Sequence, residues 1–355
     1  MDFMITLLSF IGALVALIII HEFGHFIAAR LFKVEVEEFG IFFPPRLLTL
    51  FEWAGTKFTL NAIPLGGFVR PKGENDPNVE GGLAAASPWV RLVVLSAGPL
   101  ANLLVGVILY AAVFSRIGVP VAGQVEVVDI APGSPAAQAG LLPDDVIVSV
   151  EGQPIDTTDD IFNAISARLD QPTTIVYRRD GQTAQVTLTP RSSPPEGEGA
   201  IGIVMRQPNQ PINIMQALPS GANAVYRHTL ALLSLPVQLI RGDVSPEEGR
   251  LVGFKGMFDI YQEVREGELH PEAPAGVSQM LFFTNITISL GLLNLFPFPA
   301  LDGGRILFTL PEIILRRRVP PQYENVINLV GFALLLLLLI YINIQDFIVP
   351  VTLPR

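Results

Sequence analysis

The chain has 355 residues, half of them hydrophobic and only 16% charged, and its formal net charge is −10. About 25% charged residues is usual in a soluble protein, so the composition points to a membrane, and the acidic balance argues against a nucleic-acid binder, which needs a basic face. There is no cysteine, which excludes disulfides, thiol nucleophiles, iron–sulfur clusters and Cys-ligated zinc.

In chain order, residues 1–30 begin with an apolar run that is uncharged from Phe3 to Ile20 and closes on HEFGH. The run suits a spanning helix, which needs ~20 residues. It lacks a basic start and an A-x-A-like cleavage site, so it reads as a retained first span and not as a signal peptide. Residues 31–88 form a loop. Phe39 to Phe43 is apolar and aromatic, and FTLNAIPLGGFVRP at 58–71 has strand-like stretches broken by Gly66 and Gly67. This pattern predicts a β-hairpin, either re-entrant into the membrane or lying on its surface. Residues 89–116 are the second predicted span.

Residues 120–206 read as a soluble α+β unit. Strand signals stand at QVEVVDI, DDVIVSVEG, TTIVYRR, AQVTLTP and AIGIVM, with helical patches near Ser134–Ala139 and Thr158–Leu169. Residues 207–276 hold TLALLSLPVQLI, an apolar stretch of twelve residues interrupted by Pro236. That is too short to cross and reads as an interfacial helix, followed by a polar connection over 241–276. Residues 277–312 are the third transmembrane segment, 313–322 a basic loop, 323–345 the fourth span and 346–355 the C-terminal tail. The predicted fold class is therefore a polytopic α-helical membrane protein with about four transmembrane helices, a membrane-associated β-hairpin region and an inserted α+β domain.

Basic residues in short loops set orientation. Seven lie between Arg30 and Arg91, and Arg305 and the triplet Arg316 to Arg318 follow the third span, whereas the N-terminus has none and the tail only Arg355. The first and third loops are predicted to be cytoplasmic, with both termini and the inserted domain on the outer side.

Ionisable groups at membrane depth are expensive and mark functional sites. His21, Glu22 and His25 fit the pattern H-E-x-x-H. On a helix, residues four apart share one face, so the two imidazoles can meet one zinc ion with the glutamate placed to take a proton from the attacking water; the alternative is a solvated helix end. Catalytic zinc takes three protein ligands and keeps one position open. His228 and His270 fall in the predicted outer-side segment, away from His21. The second span has no acid, and Asp302 is the only acid in ITISLGLLNLFPFPALDGGRILF. The first and third segments both run inwards and bring His21 and Asp302 to the cytoplasmic half. Pro297 and Pro299 break the helix just before Asp302, which is tolerated at that depth only inside protein or against water. Asp302 is also placed as a helix N-cap for RILFTL, a role compatible with ligation.

HEFGH in the first span, NLFPFPALDGG in a later one and APGSPAAQAGLLPDDVIVSVEGQPI between them resemble the site-2 proteases, zinc metalloproteases that cut within the membrane. The bacterial, RseP-like branch is the most similar, and the inserted unit resembles a PDZ domain of the bacterial protease-associated kind. The resemblance covers nearly the whole chain. It implies one Zn2+ per chain on His21, His25 and Asp302, with Glu22 as general base. It implies that Asn102, in GPLAN at 98–102, and Asn294 face the site as contacts to substrate backbone or oxyanion. The alternative for either asparagine is an interhelical hydrogen bond. It also suggests that PLGGFV receives the substrate as a strand. A PDZ domain implies capture of peptide segments or chain ends by strand addition, or else a spacer that blocks access.

The partners the resemblance implies are the lipid bilayer and single-span transmembrane substrates, for example anti-sigma-factor-like proteins or signal-peptide remnants. These would be cut in regulated intramembrane proteolysis at a bacterial plasma membrane, with the PDZ domain gating access. Two departures stand out. One PDZ domain is visible where the branch often carries two, and LVGFKGMFDIYQ replaces a G-P-x-G-I-like stretch. Two rival functions use the same residues. A metal transporter would place His and Asp along an ion path, and a non-catalytic scaffold would use the PDZ domain to bind partners but would have no need of Glu22.

Overall fold

Thirty residues without a proline make α1 (Asp2–Leu31), about 45 Å long at 1.5 Å per residue. The computed structural model describes residues 2–351 apart from 196, 243, 246–248 and 268–273. His270 and residues 352–355 of the predicted tail therefore lie outside the described residues. After α1 come β1 (Val36–Trp53), β2 (Thr56–Pro71) and α2 (Pro88–Ile117). The inserted stretch holds β3 (Val119–Pro120), β4 (Val125–Ile130), α3 (Pro135–Gln138), β5 (Val146–Val150), β6 (Gln153–Pro154), α4 (Thr158–Ser166), β7 (Thr173–Arg179), β8 (Gln182–Leu188), β9 (Ile203–Arg206) and β10 (Asn209–Gln210). The chain closes with α5 (Ile214–Arg241), α6 (Phe254–Glu266), α7 (Val277–Leu295), α8 (Asp302–Leu315) and α9 (Pro321–Ile348). Two units result, Met1–Val113 with Ile214–Arg355, and Phe114–Asn213.

In the first unit, four helices are long and apolar enough to cross a membrane: Phe3–Leu31, Pro88–Ile117, Val277–Leu295 and Pro321–Ile348. They fall where the sequence places its spans and fit a multi-pass membrane protein. The third segment is two helices, α7 and α8, because the Pro297–Pro299 stretch cannot continue a helix. The twelve-residue interfacial helix needs correction. α5 is one helix of 28 residues that runs through Pro219 and Pro236. A proline costs a helix one hydrogen bond and a bend; here the flanking turns carry on past it.

β1 and β2 form the expected hairpin, longer than the strand signals alone imply. Glu38 to Ile41 is partnered on both sides, by Lys57 to Leu60 and by Gly67 to Arg70. Phe39 and Phe58 stack at 5.4 Å, and Phe26 of α1 meets each ring edge-on. This aromatic cluster continues into Val34, Val36, Leu83 and Val94, so the base of the hairpin is packed onto α1 and α2. At the outer stretch of β1, Leu47, Leu48, Leu50, Phe51 and Trp53 stay exposed.

The LVGFKGMFDIYQ stretch enters and forms most of α6. Gly253 precedes α6 and has no side chain to cap it. Asp346 of α9, fully buried, supplies the cap: its Oδ2 accepts from the N–H of Gly253 at 2.8 Å and of Gly256 at 3.1 Å, while Arg250 donates to its Oδ1 at 2.6 Å. A carboxylate at a helix N-terminus is favourable, and α6 in turn packs Phe258 and Tyr261 against Phe10 of α1.

In the second unit the strand order is β8-β7-β5-β4-β9, with β6 on β5. All five strand signals and both helical patches are present. Ser134 caps α3 and a Thr157–Asp160 capping box starts α4. The core is aliphatic, with Val125, Ile147, Ile161 and Ile175 almost fully buried.

Gly24 sits where α1 crosses α2. A Cβ there would strike the carbonyl of Ala97 and lie 2.8 Å from the Ala101 Cβ. Gly24→Val should therefore push the helices apart and cost roughly 1–3 kcal/mol. The check is the unfolding temperature of the detergent-purified variant, which should fall below that of wild type.

Candidate metal centre

His21 and His25 lie four residues apart on α1 and face the same way, their ring centroids 4.8 Å apart. Asp302 reaches them from the first turn of α8. His21 Nε2 is 3.1 Å and His25 Nε2 3.3 Å from Asp302 Oδ2, and the two Nε2 atoms are 3.2 Å apart. Donors 2.0–2.1 Å from a tetrahedral zinc stand roughly 3.3–3.4 Å from each other. Three corners of such a tetrahedron are thus already in place, and the donor set, two imidazoles and a carboxylate, suits zinc. Among the described residues this is the one group of His, Cys, Asp and Glu side chains so gathered. Asp302 and Glu22 together carry two negative charges when ionised, which a divalent cation balances.

Each of these side chains is held from behind. His25 Nδ1–H donates to the Val94 carbonyl at 2.8 Å, which fixes the tautomer and leaves the Nε2 lone pair free. His21 Nδ1 lies 3.3 Å from Nδ2 of Asn102, while Asn102 Oδ1 is buried without a partner. Side-chain amide oxygen and nitrogen are assigned from their hydrogen bonds. Turning this amide over lets His21 Nδ1–H donate to Oδ1, satisfies the orphaned oxygen and frees His21 Nε2. That orientation is the one a metal requires.

Asp302 opens α8, with Leu301 and not Asp302 at the cap position. The carboxylate is therefore not engaged as an N-cap, contrary to that alternative, and points to the histidines. A Cβ on Gly303 would strike the carbonyls of Leu295 and Phe296, and one on Gly304 that of Phe298. Glycine is needed at both so that the helix can start tight against the preceding turn. That turn is pinned to α9, where Asn328 Oδ1 accepts from the Ala300 N–H at 3.1 Å and Gly331 leaves room for Pro299.

Glu22 stands beside the set. Its Oε2 accepts from the Val69 N–H of β2 at 2.9 Å, leaving Oε1 for other work. Asn102 is fully buried against His21. Asn294 lies half-buried at the end of α7, and among the described residues no hydrogen bond holds it. His228 is taken by Tyr110 at 3.1 Å and plays no part. Sequence reasoning passed over Gly98. A Cβ there would strike His25 Nε2 and come within 2.8 Å of His21 Nε2, so the first residue of GPLAN makes room for the ligand rings. The signal was the glycine at the start of the motif.

A family scan matches peptidase family M50 over residues 9–338. The chain belongs to this family. It is 31% identical to a protein of Rhizobium meliloti whose name describes a zinc metalloprotease, over 96% of each chain. A similarly named protein of Campylobacter jejuni is 33% identical over 93% of this chain and 90% of its own. Among solved structures, the PDZ domain of an SdrC-like protein from Listeria monocytogenes matches 23% of this chain and 87% of its own, at 21% identity and a TM-score of 0.21, too low to bear on the fold. The family, the relatives and the donor set together make the chain a membrane metalloprotease.

Asn102→Leu keeps the volume and removes the partner of His21. Loss of such an outer partner typically weakens metal binding by about 10–100-fold. Chelator competition on the purified variant should show a zinc affinity lowered within that range.

Proposed function

We propose that this chain is an intramembrane zinc endopeptidase of the site-2 type, cutting single-span membrane proteins. The observation that carries the reading is Glu22 standing between two things: the His21–His25–Asp302 set and the backbone of an edge strand. Gly67 to Arg70 of β2 pairs with β1 on one side, and the Val69 N–H points the other way, to Glu22. A substrate unwound into a strand beside β2 would bring its peptide bond to the same carboxylate.

Bound zinc supplies Lewis-acid polarisation of the scissile carbonyl and lowers the pKa of water towards ~7. The chain does the rest. His21, His25 and Asp302 would hold the single ion. Glu22 takes the proton of the attacking water on Oε1 and returns it to the leaving amine nitrogen. Val69 keeps the other oxygen of Glu22 in place, and Asn102 holds His21 in its working tautomer. Asn294, one turn before the proline loop, remains the candidate contact to substrate backbone. The exposed apolar residues from Leu47 to Trp53 support the re-entrant reading of the hairpin, since an apolar patch of that size marks a membrane or partner surface.

Sidedness follows the basic residues, with the first and third loops cytoplasmic and the inserted PDZ-like unit outside. There the unit acts as a filter that passes substrates already trimmed of a bulky outer domain.

Two outcomes check this. Co-expressed with a tagged single-span protein, the wild-type chain should release a shorter fragment, and Glu22→Gln should release none while still binding zinc; a fragment that persists with Glu22→Gln would rule out Glu22 as the base. Deleting residues 121–206 should let untrimmed substrates be cut, read as fragment yield from a substrate with a folded outer domain. Unchanged selectivity would remove the filter role.

A further inference from the structure

Asp302 comes from a segment 281 residues beyond His21, and something must hold that segment in register. α8 and the loop that follows it are tied to the rest of their unit by three arginines. Arg305 donates to Glu74 Oε1 and, at 3.4 Å, to Asn75 Oδ1. Arg91, almost fully buried, pairs with Glu312, and Arg318 donates to the Ala84 carbonyl at 2.6 Å. The Arg305–Glu74 pair stands nearest the site. Arg305 is three residues past Asp302, so the two side chains lie on neighbouring faces of the same helical turn, and restraining one restrains the other.

Glu74 is itself on firm ground. It sits three residues past the end of β2, in a turn closed by backbone bonds from Lys72 N–H to Glu35 O at 2.8 Å, Leu83 N–H to Lys72 O at 2.9 Å and Ala84 N–H to Gly73 O at 3.2 Å. The same strand carries Val69, whose N–H holds Glu22. A single ion pair therefore joins the strand that sets Glu22 to the helix that delivers Asp302. Both partners are about three-quarters buried, Arg305 25% and Glu74 30% exposed, so bulk salt screens them less than a surface pair.

We infer that Glu74 and Arg305 are a positioning pair, which sets Asp302 against His21 and His25 by clamping the first turn of α8 to the turn after β2. Neither residue touches the metal donors. Their effect passes through the placement of α8, where a shift of about 1 Å is costly to a reacting geometry. The inference rests on the reading of His21, His25 and Asp302 as zinc ligands.

The test is zinc affinity of the full chain in detergent, by chelator competition, with cleavage measured in parallel. Glu74→Ala and Arg305→Met should each weaken zinc about tenfold, and the double variant no further, as members of one pair behave. Arg305→Lys, which keeps the charge for Glu74 but loses the second donation to Asn75, should lose less zinc affinity than Arg305→Met. The isosteric Glu74→Gln gives the same reading if Glu74→Ala does not fold. Affinities of the single variants within about twofold of wild type overturn the inference, as does a double variant whose loss is the product of the two singles. A wild-type chain without zinc, or one whose zinc survives Asp302→Ala, overturns the metal-site reading beneath it and is told apart by that control.

Discussion

Two imidazoles and a carboxylate meet within 3.3 Å of one another inside an apolar helical unit. Gathering them is the constraint from which much of the structure follows. An acidic or basic residue at the centre of a membrane helix costs about 2.5–3.5 kcal/mol by insertion scales, and a cation shared among them is what offsets the cost in the proposed reading. The neighbours are shaped accordingly. Gly98 leaves space for the rings, Gly303 and Gly304 let α8 begin against its own preceding turn, and Gly24 lets α2 come close enough for its Val94 carbonyl to hold His25. Small residues at helix contacts are a general device of membrane proteins, where close backbone approach replaces the hydrophobic drive.

The hairpin answers a second constraint. A peptide bond in a helix has its carbonyl committed to the helix, and a protease must receive it extended. In the proposed reading β1 and β2 supply an extended template, packed on Phe26 through Phe39 and Phe58 and joined to Glu22 through Val69. The His21–His25 pair, Glu22 and the strand are then neighbours because α1 carries the first two and packs directly on the third.

Much of this was legible in the sequence. HEFGH carries its own geometry, since helical period places His21 and His25 together. The four spans follow from length and apolarity, and the strands of the inserted unit from alternation between turn signals. Asp302 was reachable because it is the only acid in its segment. Most of what escaped has a common cause, dependence on pairing across long separations. Nothing local in PLGGFV says that the Val69 N–H faces Glu22, 47 residues earlier. Glu74 in a polar turn looks solvated until Arg305, 231 residues on, is found beside it. Asp346 reads as the end of a span, and its work as the cap of α6 is visible only once α9 is placed. The stretch TLALLSLPVQLI ends within a residue of the end of α5 but starts fifteen residues late, because IMQALPSGANAVYRH, with Pro219, Gly221 and its polar residues, carries no continuous apolar run.

The central claim is that these three side chains bind one zinc ion. X-ray absorption at the zinc edge of the purified full chain tests it most directly. The account predicts a sulfur-free first shell of nitrogen and oxygen at about 2.0–2.1 Å, with outer-shell scattering from two imidazoles. A shell of oxygen alone, or a single imidazole, would contradict it.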